Sequence, residues 1–258
     1  MINEHLVKVI IPLYSEQLSD LEIRSLNQVY TVLKNYPIVV VKPVSLNISS
    51  LSQRYPNLLF ESFDDRYFEN ISGYNKLMLS NEFYMRFIYT GYLLIYQLDA
   101  FVFRDELEYW CSKGYDYIGA PWLKAPIDSW PIFSTINDLN YFYYDNLNQR
   151  SKQSLYNKVG NGGFSLRKVE SFFDASSLYE YDIIDFLKEK RSHLFNEDVY
   201  WATEVRGFSY PKVPEALRFS FDKYPKHCYK LAGKQLPFGC HGWYKRKMKR
   251  FWKPIIGF

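Results

Sequence analysis

YLLIYQLDAFVF, residues 92–103, joins a run of apolar residues to a single carboxylate near its end, Asp99. The run is too short to span a membrane, and its continuous apolar character is typical of a strand buried in an α/β sheet. Ligands bind such sheets at the carboxyl ends of the strands. An isolated buried carboxylate is costly, so Asp99 needs a cation, a hydroxyl or backbone N–H partners. The stretch predicts a central strand that delivers Asp99 to a ligand-binding edge, with a simple turn cap as the alternative.

The N-terminal part of the chain predicts alternating strands and helices. VKVIIPL, residues 7–13, is a continuous apolar run typical of a buried parallel strand. Apolar residues then recur at helical spacing from Asp20, taken as the N-cap, to Leu33. IVVV, residues 38–41, follows as a second strand, and residues 57–63 supply a third. This order predicts an α/β fold with a mostly parallel, Rossmann-like central sheet flanked by helices.

Length and composition favour one domain. The 258 residues, 47% of them apolar, can bury a large core, and we assign residues 1–243 to a single domain. From 123 to 154 the periodicity gives way to Pro, Asp, Asn and Tyr. A long irregular stretch inside a compact chain is usually a functional loop or lid.

A basic, aromatic tail occupies residues 244–258. Six Lys and Arg residues and no acids follow His241, so the net charge of +4 leaves −2 on the rest of the chain. Clustered cations beside Trp and Ile are typical of an anchor to an anionic membrane surface, and a solvated tail is the alternative. A nucleic-acid partner is not expected, because no other basic region could form a groove with the tail.

The cysteines and the N-terminus predict a cytoplasmic protein. Cys111, Cys228 and Cys240 form no C-x-x-C pair and leave one thiol unpaired in any disulfide scheme. The N-terminus lacks the pattern of a signal peptide, and no segment approaches the roughly 20 apolar residues of a spanning helix.

VGNGGFSLR, residues 159–167, is a second distinctive stretch. Glycines around Asn161 permit a positive φ angle or close approach of the backbone to a ligand, and a tight turn explains them equally well. Their spacing is that of neither a P-loop nor a dinucleotide fingerprint.

Four further residues are candidates for chemistry. In FNEDVYW, residues 195–201, the two acids Glu197 and Asp198 suit the first turn of a helix, and one could equally serve as a general base. Lys76, amid apolar positions, is either a surface lysine or a cation directed at a phosphate. His241 lies in an aromatic, glycine-flanked loop, where a histidine is more often structural than a ligand.

Six ordered blocks together resemble a bacterial family of glycosyltransferase-like domains of formerly unassigned function. The resemblance runs from about residue 7 to 243. The blocks are YNKLMLSNEFY (74–84), LIYQLDAFVF (94–103), YIGAPW (117–122), GNGGFSLR (160–167), NEDVY (196–200) and PFGCHG (237–242).

That family is similar to sugar-nucleotide transferases of the GT-A fold, and the resemblance implies a donor site. The first strand opens the nucleotide site in that fold, which places Pro12 and Tyr14 against the donor. A D-x-D motif there holds a divalent metal against the donor diphosphate. In this sequence Asp99 matches the first acid, whereas Phe101 replaces the second.

The resemblance leaves two ways to neutralise the diphosphate. A C-terminal histidine often completes the metal shell in GT-A enzymes, so Asp99 and His241 could share Mn²⁺ or Mg²⁺ with substrate oxygens and water. Alternatively, Lys76 and Arg167 could neutralise the leaving diphosphate without a metal.

The resemblance also implies the catalytic residues. The Glu-Asp-Val motif of inverting β-1,3-galactosyl- and N-acetylglucosaminyltransferases matches Glu197 and Asp198, with Asp198 as the base and Glu197 fixing the loop or a donor-sugar hydroxyl. A base is required because an acceptor hydroxyl is a poor nucleophile at neutral pH. Gly162 and Gly163 would let main chain pass beside the sugar, with Asn161 as a hydrogen-bonding handle.

The expected function is therefore that of an inverting glycosyltransferase. We expect it to move a hexose, galactose by preference, from a UDP-sugar to a glycan or lipid-linked acceptor of a bacterial surface polysaccharide such as lipopolysaccharide or capsule. A non-catalytic carbohydrate-binding or scaffold protein on a degenerate GT-A fold is one alternative, and a retaining transferase is another.

Overall fold

The strands and helices alternate along most of the chain. The computed structural model describes residues 5–126, 139, 151–188 and 193–258. Most of the predicted loop at 123–154 lies outside these residues. The strands are β1 (His5–Pro12), β2 (Ile38–Pro43), β3 (Leu58–Phe63), β4 (Thr90–Tyr96), β5 (Ala100–Val102), β6 (Tyr117–Ile118), β7 (Ala120–Pro121), β8 (Val159–Gly160), β9 (Phe164–Lys168), β10 (Ser220–Phe221) and β11 (Gly239–His241).

Helices connect and cover the strands. They are α1 (Asp20–Val32), α2 (Ser49–Arg54), α3 (Ile71–Leu79), α4 (Asn81–Met85), α5 (Leu107–Ser112), α6 (Val169–Leu178), α7 (Glu180–Lys188), α8 (Glu197–Thr203), α9 (Val213–Phe219), α10 (Pro225–Leu231) and α11 (Arg246–Ile256). Short 3₁₀ helices lie at Asp65–Tyr67, Lys152–Leu155 and His193–Phe195.

The central sheet has six strands in the order β3-β2-β1-β4-β9-β6. The first four are mutually parallel, whereas β9 is antiparallel to β4 and β6 is antiparallel to β9. All six residues of β2 are buried, as expected for a strand covered on both faces. The predicted α/β fold with a mostly parallel sheet is thereby confirmed.

A layer of helices covers each face of the sheet. On one face, Leu26 of α1 and Trp110 of α5 pack into one buried cluster with side chains of the sheet. On the other face, Leu77 of α3, Phe172 of α6 and Trp201 of α8 form a second cluster. The two apolar layers fix the register of the sheet, because a slip of one residue would turn each buried side chain to the wrong face.

Two sequence predictions differ from the structure. The N-cap of α1 is Ser19 rather than Asp20, and Ser19 forms a reciprocal capping box with Glu22. The predicted strand at 92–103 divides into two, because β4 ends at Tyr96 and the N–H of Ala100 donates to the carbonyl of Gln97 across a turn. Asp99 therefore lies in the connection between two sheets.

The C-terminal residues pack on the domain. β5 joins β11 and β10 in a three-stranded sheet, and α11 covers it. Trp243 and Trp252, expected in a membrane anchor, are fully buried instead. The guanidinium of Arg24 donates to the carbonyl of Ile256 at 2.9 Å. The basic side chains of α11 remain exposed: Arg246, Lys247, Lys249, Arg250 and Lys253. Among the described residues, no helix is long and apolar enough to cross a membrane.

Register brings three segments to one edge of the central sheet. Ile10 of β1 is opposite Ile95 of β4, and Tyr96 at the end of β4 is opposite Phe164 at the start of β9. Since β9 is antiparallel, its amino end meets the carboxyl ends of β1 and β4. The residues that follow β1, follow β4 and precede β9 therefore lie together.

Candidate active site

A cleft of about 680 Å³ opens at this edge of the sheet. Residues from six separate parts of the chain line it. They include Pro12 and Tyr14 at and after the end of β1, Tyr74 and Asn75 of α3, Gln97 and Asp99 after β4, Asn161, Gly162 and Gly163 before β9, Asn196, Glu197 and Asp198 at the start of α8, and His241, Tyr244 and Lys245 at and after the end of β11. Asp99, expected at the donor site, and Asp198, expected as the base, both line this cleft.

Asp99 contacts two basic groups of the C-terminal segment. Its Oδ1 lies 2.9 Å from Nε2 of His241, and its Oδ2 lies 2.7 Å from Nζ of Lys245. Burial alone would raise the pKa of Asp99, but the charges of His241 and Lys245 outweigh burial and hold it well below its usual range. Asp99 is therefore ionised at neutral pH.

His241 lies between two carboxylates. Its Nδ1 is 3.2 Å from Oδ1 of Asp222 and 3.2 Å from the amide nitrogen of Asn161. Burial would lower the pKa of His241, but Asp99 and Asp222 raise it to about 9. In the protein alone the ring therefore carries a positive charge at neutral pH. Asp222, which contacts His241, is a residue of this site that no sequence pattern identified.

The spacing of Asp99 and His241 suits two of the ligands of a divalent metal ion. Nε2 of His241 is buried and makes no hydrogen bond of good geometry, although it lies 2.9 Å from Asp99 Oδ1. Adjacent ligands of an octahedral Mg²⁺ ion are about 3 Å apart, since each lies ~2.1 Å from the metal. His241 must lose its proton to bind an ion.

The protein offers only part of such a shell. Phe101, at the position of the second acid, is buried, with its ring centroid 5.7 Å from that of Trp243. The described residues contain no group of three or more His, Cys, Asp or Glu side chains that could hold an ion. Substrate oxygens and water would have to supply the remaining ligands.

The segment Asn161 to Gly163 packs tightly against the site. Asn161, rather than a glycine, has the positive φ angle here, +84°. A Cβ on Gly162 would lie 2.0 Å from Oε1 of Glu197, and one on Gly163 would lie 2.2 Å from Nε2 of His241. Both glycines line the cleft, but the side chains of Glu197 and His241 occupy the space beside them.

Asp198 is held by backbone donors. The N–H of Gly162 donates to its Oδ2 at 3.2 Å, and the N–H of Val199 donates to its Oδ1 at 2.9 Å. Burial raises the pKa of Asp198, and these hydrogen bonds oppose that rise. A carboxylate with a raised pKa is a better proton acceptor near neutral pH.

Glu197 forms a buried ion pair with Arg167. Nη2 of Arg167 lies 3.0 Å from the Glu197 carboxylate, and the Arg167 side chain is 0% exposed. Burial raises the pKa of Glu197 to about 7 against the opposing charge of Arg167. Nη1 of Arg167 donates to the hydroxyl of Tyr84 at 3.0 Å. Arg167 does not line the cleft, so the structure does not support the expected contact of its side chain with a diphosphate.

Lys76 also lies outside the cleft. Its side chain is exposed on α3 and lines a separate surface depression with Arg66 and Ser72. The neighbouring residue Asn75 lines the cleft instead, and its Oδ1 accepts from the backbone N–H of Glu197 at 3.1 Å. Asn75 thus caps α8, whereas the side chain of Asn196 at the N-cap position does not.

Tyr14 lines the cleft two residues after the end of β1. It is 47% exposed, and its ring meets Phe68 edge-on with centroids 5.8 Å apart. The hydroxyl of Tyr74, beside Tyr14, is buried without a hydrogen-bond partner. The cleft therefore offers a ligand the exposed part of the Tyr14 ring, whereas the Tyr74 hydroxyl lies beneath the surface.

A family model described as "Protein of unknown function (DUF5672)" matches residues 57–241, which is more than half of the chain. The chain belongs to this family. The match includes most of the cleft, from Phe68 to His241, but not Pro12, Tyr14 or Lys245. No curated protein matches the sequence of this DUF5672 member.

Solved structures similar to this DUF5672 member are glycosyltransferases. The galactosyltransferase LgtC, in complex with donor and acceptor sugar analogues, is 11% identical with a TM-score of 0.58, over 97% of this chain and 95% of that chain. Mouse xyloside xylosyltransferase 1 is 10% identical with a TM-score of 0.53, over 92% and 97%. The bifunctional glycosyltransferase WbbM is 12% identical with a TM-score of 0.53, over 92% of this chain and 46% of that one. The fold of this chain is thus the GT-A glycosyltransferase fold, as the resemblance in the sequence predicted.

Proposed function

We propose that this protein is an inverting glycosyltransferase that moves a hexose from a UDP-sugar to a glycan acceptor of a bacterial surface polysaccharide. One observation carries the proposal. Asp99 and Asp198, 99 positions apart in the sequence, line a single cleft at the ligand-binding edge of a GT-A sheet. Galactose remains our preferred donor sugar.

The donor would lie along the cleft from Tyr14 to Lys245. Tyr14 offers a half-exposed ring on which a nucleobase can stack. Lys245 replaces Lys76 and Arg167 as the cation for the diphosphate, because its ammonium lines the cleft and its side chain is 49% exposed. A divalent cation on Asp99 and His241 would add positive charge for the leaving diphosphate.

Asp198 is the proposed base. The acceptor hydroxyl would attack the anomeric carbon from the face opposite the diphosphate while Asp198 takes its proton. The new bond joins the acceptor oxygen to the anomeric carbon. The bond from that carbon to the diphosphate breaks, and its electron pair leaves with the diphosphate. Glu197, held by Arg167, fixes the start of α8 and so the position of Asp198.

The proposal is tested by nucleotide release from a panel of nucleotide sugars, with and without Mn²⁺. Asp198→Asn should lower transfer by about 10²- to 10⁴-fold and leave donor binding in place. Asp174→Asn, an exposed acid on α6, is the matched control. Near-wild-type transfer by Asp198→Asn would reject the base, and retention of anomeric configuration by NMR would reject inversion.

Charge would hold the enzyme at an anionic cytoplasmic membrane surface. Trp243 and Trp252 are fully buried and Phe251 is half-buried, so α11 contributes mainly its exposed cations, together with Ile255, which is 39% exposed. Attraction through the cations is sensitive to salt. Replacing Lys247, Lys249 and Arg250 with Gln should weaken binding to anionic liposomes at low salt. Unchanged binding of the triple variant to the liposomes would contradict the proposed membrane association.

A further inference from the structure

A second, smaller cavity of about 160 Å³ adjoins the cleft. Asn161, Asn196 and Asp198 line both spaces. The proposed base can therefore be reached from two sides. If a donor occupies the larger cleft, the smaller cavity is the place from which a second substrate would present a hydroxyl to Asp198.

Aromatic side chains form the walls of this cavity. Trp122, Tyr156 and Tyr224 line it, and each is half-buried. Trp122 packs directly on Gly160, where an added Cβ would lie 2.1 Å from Cη2 of the indole. Tyr224 has a φ angle of +56°, a left-handed conformation that a bulky residue rarely adopts. Half-buried aromatic rings present apolar faces on which a sugar ring can stack.

Lysine side chains surround the same aromatic walls. Lys152 and Lys223 line the cavity and are exposed at its rim. Nζ of Lys124 lies 5.6 Å from the centroid of the Tyr156 ring. Asp222 also lines the cavity, but its carboxylate is paired with His241. Apart from Asp198, the charges that the described residues leave for a ligand here are positive.

We infer that this cavity binds the acceptor, and that the acceptor sugar carries an anionic group, either a carboxylate or a phosphate. The inference rests on the proposed transferase function. The sugar ring lies against Trp122, one of its hydroxyls reaches Asp198, and its anionic group faces Lys152 and Lys223. That hydroxyl gives its proton to Asp198 as its oxygen bonds to the donor's anomeric carbon, and the nucleoside diphosphate departs with the electron pair of the broken bond.

Matched glycosides test the inference by direct binding. The dissociation constants of methyl β-glucuronide, methyl β-glucoside and methyl β-glucoside 6-phosphate are measured by NMR titration of the full chain. We expect at least one anionic glycoside to bind roughly tenfold more tightly than the neutral one, equivalent to about 1.4 kcal/mol. The two anionic glycosides distinguish a carboxylate from a phosphate. The preference should shrink as salt is added, because both lysines are exposed.

Variants locate the effect. Replacing Lys152 and Lys223 with Gln should remove the preference and leave the affinity for the neutral glycoside unchanged. Lys226→Gln, an exposed lysine of α10 that does not line the cavity, is the control. Trp122→Ala should lower the affinity for all three glycosides by a similar factor.

Two results would overturn the inference, namely equal binding of all three glycosides by the wild type or a preference that survives the double variant. The transferase proposal is assayed separately, by UDP-sugar binding and nucleotide release without acceptor. Anion-selective binding without any donor binding would reject the transferase and retain the cavity as a site for anionic sugars. Donor turnover without anion selectivity would reject only the inference.

Discussion

Two carboxylates that line the same cleft have opposite surroundings. Glu197 is paired with Arg167, whose side chain is 0% exposed, whereas Asp99 is paired with Lys245, whose side chain is 49% exposed. The first pair has no route by which a ligand could replace Arg167. In the second pair a ligand can take the place of the Lys245 ammonium beside Asp99, because water already reaches that ammonium. A charged pair at a cleft is thus part of the framework or part of the binding surface according to the exposure of its cation.

The largest expected effect comes from breaking the buried pair. Arg167→Met leaves the Glu197 carboxylate buried without its partner, which should cost about 3–5 kcal/mol of the free energy of unfolding. Urea denaturation measures this loss. Lys168→Met, at the next position of β9 and partly exposed, is the control and should change stability by less than about 1 kcal/mol. Equal losses in the two variants would show that the pair is not a framework element.

The pH dependence of stability should differ in sign between the two carboxylates. The pKa of Glu197 rises from 4.5 in the unfolded chain to about 7 in the folded one, so its contribution is fully favourable below 4.5 and is lost as pH rises through 7. The pKa of Asp99 is depressed in the folded state, so its contribution is present above its unfolded value of 3.8 and is lost as pH falls.

Paired unfolding curves measure this difference. The stability of the wild type relative to Glu197→Gln should decrease between pH 4.5 and 7. Relative to Asp99→Asn, it should decrease as pH falls below 3.8. If the stability differences for Glu197→Gln and Asp99→Asn both decrease as pH rises, or both decrease as pH falls, the two carboxylates do not have the opposite pKa shifts described above.

The smallest effect on stability is expected at the open pair. Lys245→Met should change the free energy of unfolding by less than about 1 kcal/mol, because exposed ion pairs contribute little. The same variant should weaken UDP binding roughly tenfold, about 1.4 kcal/mol, in calorimetry at low salt. Lys247→Met, at an exposed neighbour that does not line the cleft, should change neither quantity. A loss of stability at Lys245 as large as that at Arg167 would remove the distinction between the pairs.

Local sequence patterns were sufficient for much of the fold. The apolar run of β1, the helical spacing of α1 and the β-branched run of β2 are signals within short segments, and the structure confirms the α/β sheet that they predict. The end of β4 was not predictable in this way. β5 pairs with β11, more than 130 residues later, and no pattern within residues 92–103 encodes that pairing.

The site was predictable where residues stand at the ends of strands or of a helix. Asp99, Asn161 and Asp198 line the cleft because the sheet brings such ends together. Arg167 was misassigned because its partner, Glu197, is 30 positions away, and only that contact shows that its charge is already neutralised. Lys76 was misassigned by one position, since the neighbouring Asn75 faces the cleft.

Lys245 was missed for a different reason. In the sequence it is one of six cations in a basic tail and has no distinguishing neighbour. Gly242, with a φ angle of +64°, turns the chain after β11 and brings Lys245 back to Asp99. A glycine three positions before a lysine is too weak a signal to identify such a residue.

The contact between Gly163 and His241 has a consequence for how the sequence can evolve. The first side-chain carbon of any larger residue at 163 would occupy the volume of the imidazole, 2.2 Å from Nε2. A side chain at 163 is therefore incompatible with His241 in its present position. Natural variants that carry a side chain at 163 should carry a smaller residue at 241, so the two positions should covary although 78 positions separate them.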